Sequence, residues 1–134
     1  MIETGIYQLL TRNADLKALI GNGVYFVKFP NKDTILPAVV MQVVSTLDFY
    51  NYAGASNLRR KLIQFDSYAS KYGDSVTVSD TIRGLLESFV GTLPEGSQIE
   101  GCIVRRDIDM PYEPGTTGFI YRRLLEIDIF YKEQ

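Results

Sequence analysis

The segment from Phe119 to Tyr131 alternates in character: Tyr121, Leu125, Ile127, Ile129 and Tyr131 fall on one side, Arg122, Glu126 and Asp128 on the other. A strand of that pattern buries one face only, so the chain must also supply helices or a second sheet to cover it. Both companions are present in the sequence. Ile2, Ile6, Leu9 and Leu10 recur at helical spacing, and Leu16, Leu19 and Ile20 continue the stripe after Asn13, a residue suited to capping a new turn. Gly21-Asn22-Gly23 then stops the helix. A second helix is expected from Asp74 or Ser75 to about Val90, with Val78, Ile82, Leu85, Leu86 and Phe89 on its buried side.

Three further strands are expected. A short extended piece at Val24–Phe29 precedes the strand Ala38–Leu47, in which Val39, Met41, Val43 and Leu47 share one face. Leu58–Ala69 places Ile63 and Phe65 opposite Arg60, Gln64, Asp66 and Tyr68; Gln98–Asp109 is the third. Residues 48–57 and 110–118 read as long loops. The fold class is therefore α+β, a mainly antiparallel sheet of four to five strands with two helices packed on one face, in a single domain spanning residues 1–134. A right-handed crossover through the central helix would make 58–69 and 98–109 parallel and put the two loops at opposite ends of the sheet.

Composition narrows the function. The chain has 134 residues, 14 basic and 16 acidic, for a net charge of −2, so nothing draws it towards nucleic acid or anionic lipid. No apolar run approaches the ~20 residues of a membrane span, and Glu3 interrupts any signal-peptide pattern at once. Histidine is absent, which removes Ser-His and Cys-His nucleophile pairs and most zinc sites. The one cysteine, Cys102, sits mid-strand and reads as a small core residue. No cofactor, metal or catalytic residue is expected.

Two sets of polar residues remain. Asp107 and Asp109 share a strand face about 7 Å apart, a spacing open to acid–base or divalent-cation chemistry and equally to a solvated strand end paired with Arg105 or Arg106. Arg60, Gln64, Asp66, Arg122, Glu126 and Asp128 lie opposite the apolar stripes of two strands. They are either the wet face of a one-sided sheet or a contact surface between subunits, with arginines of one copy meeting carboxylates of the next.

The features also follow one another in a distinctive order. Ile6, Leu9 and Leu10 precede Leu19-Ile20-Gly21 and Val24-Tyr25. Leu36-Pro37 leads into Val39, Val40 and Gln42. Leu58-Arg59-Arg60 is followed by Gln64, Asp66, Tyr68-Ala69, then Tyr72, Asp80, Ile82-Arg83 and Leu85-Leu86. Arg106-Asp107, Tyr112-Glu113-Pro114 and Arg122-Arg123 close the series. Over nearly its whole length the chain resembles the small tail completion proteins of long-tailed bacteriophages, the tail terminator or tail-to-head joining family.

That resemblance implies a non-enzymatic virion protein at the head-proximal end of the tail. It would form a ring, usually of six copies, on the last ring of the tube, stop tube growth and present a surface to the neck. Its partners would be copies of itself, monomeric before assembly in several members, the tail tube protein and a head-completion or neck protein, with no sequence-specific nucleic acid and no membrane. Arg60, Gln64, Asp66, Arg122, Glu126 and Asp128 are the expected interface; Phe49, Tyr50 and Tyr52 in one loop and Tyr112 and Glu113 in the other are the expected docking residues. Reversing Arg60 or Asp66 is expected to weaken the ring and leave the monomer folded. Rival readings are a head-completion protein, a small host-side binding domain, and a metal-dependent hydrolase using Asp107 and Asp109.

Overall fold

In the computed structural model, residues 1–29, 35–51, 54–87, 89–110 and 120–132 are described, with 48–51 and 54–57 described for their backbone alone. Three helices and six strands follow the order α1 (Ile2–Arg12), α2 (Ala14–Ile20), β1 (Val24–Phe26), β2 (Ala38–Asn51), β3 (Gly54–Ala69), α3 (Tyr72–Leu86), β4 (Gly91–Thr92), β5 (Gln98–Met110) and β6 (Tyr121–Lys132). The strands form one mixed sheet in the order β1-β2-β3-β6-β5-β4. All pairs are antiparallel except β1 with β2. The α+β class holds; the sheet has one strand more than the expected maximum, and the N-terminal helical stretch is in two pieces that break at Asn13, as its sequence indicates, which makes three helices where two were expected.

Local chemistry explains the helix boundaries. Asn13 ends α1 in an extended conformation, and its Oδ1 accepts from the Leu16 N–H at 2.9 Å, so it caps α2. Gly21 closes α2 at φ 61°, a conformation that disfavours any residue with a Cβ. The third helix begins earlier than expected, at Tyr72. Its N-cap Lys71 makes no side-chain capping bond, and Ser75 lies inside the helix, its hydroxyl donating to the Tyr72 carbonyl at 2.7 Å.

All three helices cover one face of the sheet. Ile2, Ile6 and Leu10 from α1, Leu16 from α2, and Val78, Ile82 and Leu86 from α3 meet Val39, Met41, Ile63, Phe65, Ile99, Leu125, Ile127, Ile129 and Tyr131. Each such side chain, fully buried, contributes on the order of 1.5–3 kcal/mol. The odd-numbered residues of β3 and β6 supply this core, in the phase their alternation indicates.

Register shifts alter the phase elsewhere, two in β2 and two in β5. In β2 the register shifts between Val43 and Ser45, which turns Thr46 to the helix side and Leu47 to the opposite face, so Leu47 is not part of the core stripe. In β5 the shift between Val104 and Arg106 brings Asp107 to the helix side and leaves Arg105 and Arg106 together on the other.

The loop expected at 48–57 is strand for most of its length. The β2–β3 ladder continues through Asp48↔Arg59, Tyr50↔Ala55 and Asn51↔Gly54, so Phe49 and Tyr50 belong to a hairpin; Tyr52 lies outside the described residues. Among the described residues, β6 ends opposite Leu58, so this tip is a two-stranded ribbon extending past the sheet body. Tyr112 and Glu113 also lie outside the described residues. Strands β3 and β5 run parallel with β6 between them, so the hairpin end at Asn51–Gly54 and the end where Met110 pairs with Arg122 are opposite ends of the sheet.

Candidate functional site

The face turned away from the helices carries the even-numbered residues of β3 and β6. The register sets Gln64 against Glu126, Asp66 against Leu124, Tyr68 against Arg122 and Arg60 against Phe130. All six residues singled out in the sequence therefore share one surface. Its carboxylates are withdrawn from water: Asp66 is 3% and Asp128 0% exposed. A charge buried to that degree needs partners in place, and here they come from the same chain.

Asp128 is held from two sides. The Arg60 Nε lies 2.5 Å from Oδ1, and the Arg105 Nε donates to Oδ2. Arg60 also donates from Nη1 to the Ser45 hydroxyl at 3.3 Å. Asp66 accepts at Oδ2 from the Gln64 amide at 2.7 Å and from the Arg122 Nη2 at 3.0 Å. Arg122 stacks over the Tyr68 ring, 5.8 Å from its centroid. Arg106 reaches Glu126 at 3.6 Å.

Arginines and carboxylates thus pair with one another within a single copy, although Asp66 Oδ1 accepts no hydrogen bond among the described residues. The expectation that Asp66 can be reversed without harm to the monomer is corrected accordingly, because a second cation beside Arg122 would be buried unpaired. Arg105 and Arg106 were not among the expected interface residues. The bulge beside them places both on this face, and no periodic signal announces a bulge.

The aspartate pair of β5 belongs to the helix side. Asp107 accepts from the Arg83 Nη1 at 2.8 Å and from the Arg123 Nε at 2.9 Å; Asp109 accepts from the Arg123 Nη1 at 2.8 Å and from the Tyr72 hydroxyl at 2.9 Å. Arg83 is further bound to Glu87 at 3.1 Å. This network ties α3 to β5 and β6. It leaves the two carboxylates neutralised by Arg123 and Arg83, not by Arg105 or Arg106.

The hydrogen bond from Arg123 holds the Asp109 carboxyl below the usual range, and the bond from Arg83 does the same for Glu87. Tyr72 is pushed above 10.0 by its bond to Asp109. A lowered carboxyl stabilises the fold above its unfolded pKa, and that contribution disappears as pH falls through the folded value. The raised tyrosine stabilises the fold below its unfolded pKa and loses the contribution as pH rises through the folded one. Asp109→Asn is therefore expected to return Tyr72 towards ordinary titration and flatten part of the acid limb of stability. Tyrosinate absorbance against pH, with Tyr72→Phe identifying the component, checks this; an unchanged titration contradicts it.

Burial pushes the Cys102 thiol up to about 12, which disfavours its reactive thiolate. Among the described residues no group of three or more His, Cys, Asp or Glu stands close enough to hold a metal ion, and no helix is long and apolar enough to cross a membrane.

No protein-family model matches the chain, and no curated protein matches it. The fold is similar to that of a chain in the virion of a native gene transfer agent (GTA) particle, with a TM-score of 0.74 at 16% identity. The alignment spans 98% of this chain and 95% of that one.

Proposed function

We propose that this chain is a non-enzymatic structural protein of a phage-like virion, acting at the head-proximal end of the tail as a ring that stops tube growth and joins tail to head. The observation that carries the reading is the end-to-end likeness to a chain of a gene transfer agent virion, which leaves only a few residues of either chain outside the shared fold. The sequence resemblance to tail completion proteins supplies the finer assignment, including a ring of six copies. The chemistry is consistent with a binding role. There is no histidine, the aspartate pair is occupied by arginines, and the cysteine is held as a thiol.

In this reading the face bearing Arg60, Gln64, Asp66, Arg122, Glu126 and Asp128 takes part in subunit contacts as a stiff, internally neutralised plate. The two ends of the sheet serve different neighbours, tube and neck. The hairpin holding Phe49, Tyr50 and Tyr52 meets one, and the segment with Tyr112 and Glu113 meets the other. Shortening the hairpin by removing 50–55 is expected to leave circular dichroism and thermal unfolding nearly unchanged, because the tip lies beyond the sheet body. The same change is expected to abolish tail joining. A shortened protein that still joins tails at normal yield rules out docking by the hairpin.

The assignment is tested by gold-labelled antibody on purified particles. Label at the head–tail joint is the expected result. Particles that carry none of the protein contradict a virion role and favour a host-side binding domain.

A further inference from the structure

Both edges of the sheet are covered over only a short stretch. Among the described residues, β1 pairs with β2 at Val39–Met41 alone, and β4 pairs with β5 at Gln98 and Ile99 alone. Among the described residues, 42–51 of β2 and 100–110 of β5 therefore have one open backbone edge each. The covering strand β1 ends abruptly. Val27 donates to the Met41 carbonyl at 2.9 Å and then turns away at φ 68°, a strained conformation for a β-branched residue.

Natural proteins guard long edges with charge or proline, yet β2 from Gln42 to Leu47 has neither. On β5 the charges are taken up within the copy: Arg105 and Arg106 on Asp128 and Glu126, Asp107 and Asp109 on Arg123, and Glu100 on Lys132. Instead, exposed aliphatic side chains line both rims: Val44 and Leu47, each 48% exposed, on one, and Ile103 at 47% and Ile108 at 39% on the other.

We propose that the open edge of β2 in one copy pairs with the open edge of β5 in the next, so that the ring is held by a sheet running continuously from subunit to subunit. The occupant is a second copy because direction and chemistry both match. Within one sheet β2 and β5 run antiparallel. Rotation about an axis near the strand direction preserves that relation, so the neighbour's β5 meets β2 in the antiparallel sense, the more stable ladder. Leu47, Ile103 and Ile108 lie on the same face, so joining the rims buries aliphatic surface beside the charged plate and makes that plate continuous.

The open windows sit towards opposite ends of the sheet, so pairing them staggers neighbouring copies by about four to five residues, roughly 15 Å. A stagger of this kind is what tilts strands when a sheet closes on itself. The pairing is a heterologous contact, the kind that closes into rings.

The proposal rests on the ring reading, and the test separates the two. The outward backbone groups of β2 are those of Val39, which donates to the Gly23 carbonyl, and Met41. Alternation and the bulge carry that direction to Val43 and Thr46. Thr46→Pro removes an outward N–H without touching the β2–β3 ladder, a position where proline is tolerated. Ile108→Lys charges the opposite rim and needs no backbone change. Both variants and the parent protein are compared by native mass spectrometry, negative-stain microscopy and circular dichroism.

The expected result is a ring for the parent and folded monomers for both variants, with at least a tenfold loss of assembled species. Rings formed equally by the variants overturn edge pairing and leave the ring reading standing. Open chains from the parent, lost in both variants, uphold edge pairing and contradict the ring. A parent that stays monomeric both alone at its highest soluble concentration and when mixed with purified tail tubes contradicts both.

Discussion

Asp128→Ala is expected to destabilise the monomer by about 3 kcal/mol, at the low end for breaking a buried ion pair. It is also expected to lower Tm by roughly 10 °C. The side chain is fully buried while its partners differ, Arg60 being 20% exposed and Arg105 51%. Arg105 can swing into water once its acceptor is gone. Arg60 cannot do so as readily, and its stranded charge accounts for most of the loss. Truncating Arg60 as well, in Asp128→Ala/Arg60→Leu, is expected to recover much of the stability, since a matched apolar replacement removes the unpaired charge. Chemical denaturation of the two single variants and the double gives the coupling directly. Additive losses would mean that the two residues do not act as a pair.

Phe65→Ala is the second large effect. Phe65 is fully buried on the central strand β3, between Met41 and Leu125 of the flanking strands and beneath the helices. The loss is expected to be about 3–5 kcal/mol, a large part of the 5–15 kcal/mol available to an ordinary domain. Ile103→Ala on the β5 rim is expected to stay within about 0.5 kcal/mol. A comparable loss in both variants, read from denaturant midpoints at constant slope, would show that the rim is part of the core. A loss confined to Phe65 fits exposed aliphatics whose burial waits for a neighbour.

How much of this was legible in the sequence follows from which features repeat. Strands β3 and β6 were readable residue by residue, because an uninterrupted period of two sends Ile63, Phe65, Leu125 and Ile127 inward and Asp66, Glu126 and Asp128 outward. The charged face was recognisable for the same reason. Its partners were not. A bulge changes phase without any sequence period, so Leu47 reads as sharing a face with Val39, Met41 and Val43, Arg105 and Arg106 read as partners of Asp107 and Asp109, and Asp128 and Glu126 read either as a wet face or as a contact between copies.

The remaining misses are short or local. Gly91 and Thr92 form a strand only because Ile99 and Gln98 lie beside them. The third helix starts without a capping side chain, so Asp74 and Ser75 drew the boundary inward. The hairpin tip has polar and aromatic residues in no apolar alternation, which is how a loop also reads.

The central claim is that this chain completes a phage-like tail and joins it to the head. Its most direct test is negative-stain electron microscopy of particles produced with and without the gene. Filled heads accumulating beside unattached tails, some of them overlong, are the predicted result. Normally joined particles in the absence of the gene would contradict the account.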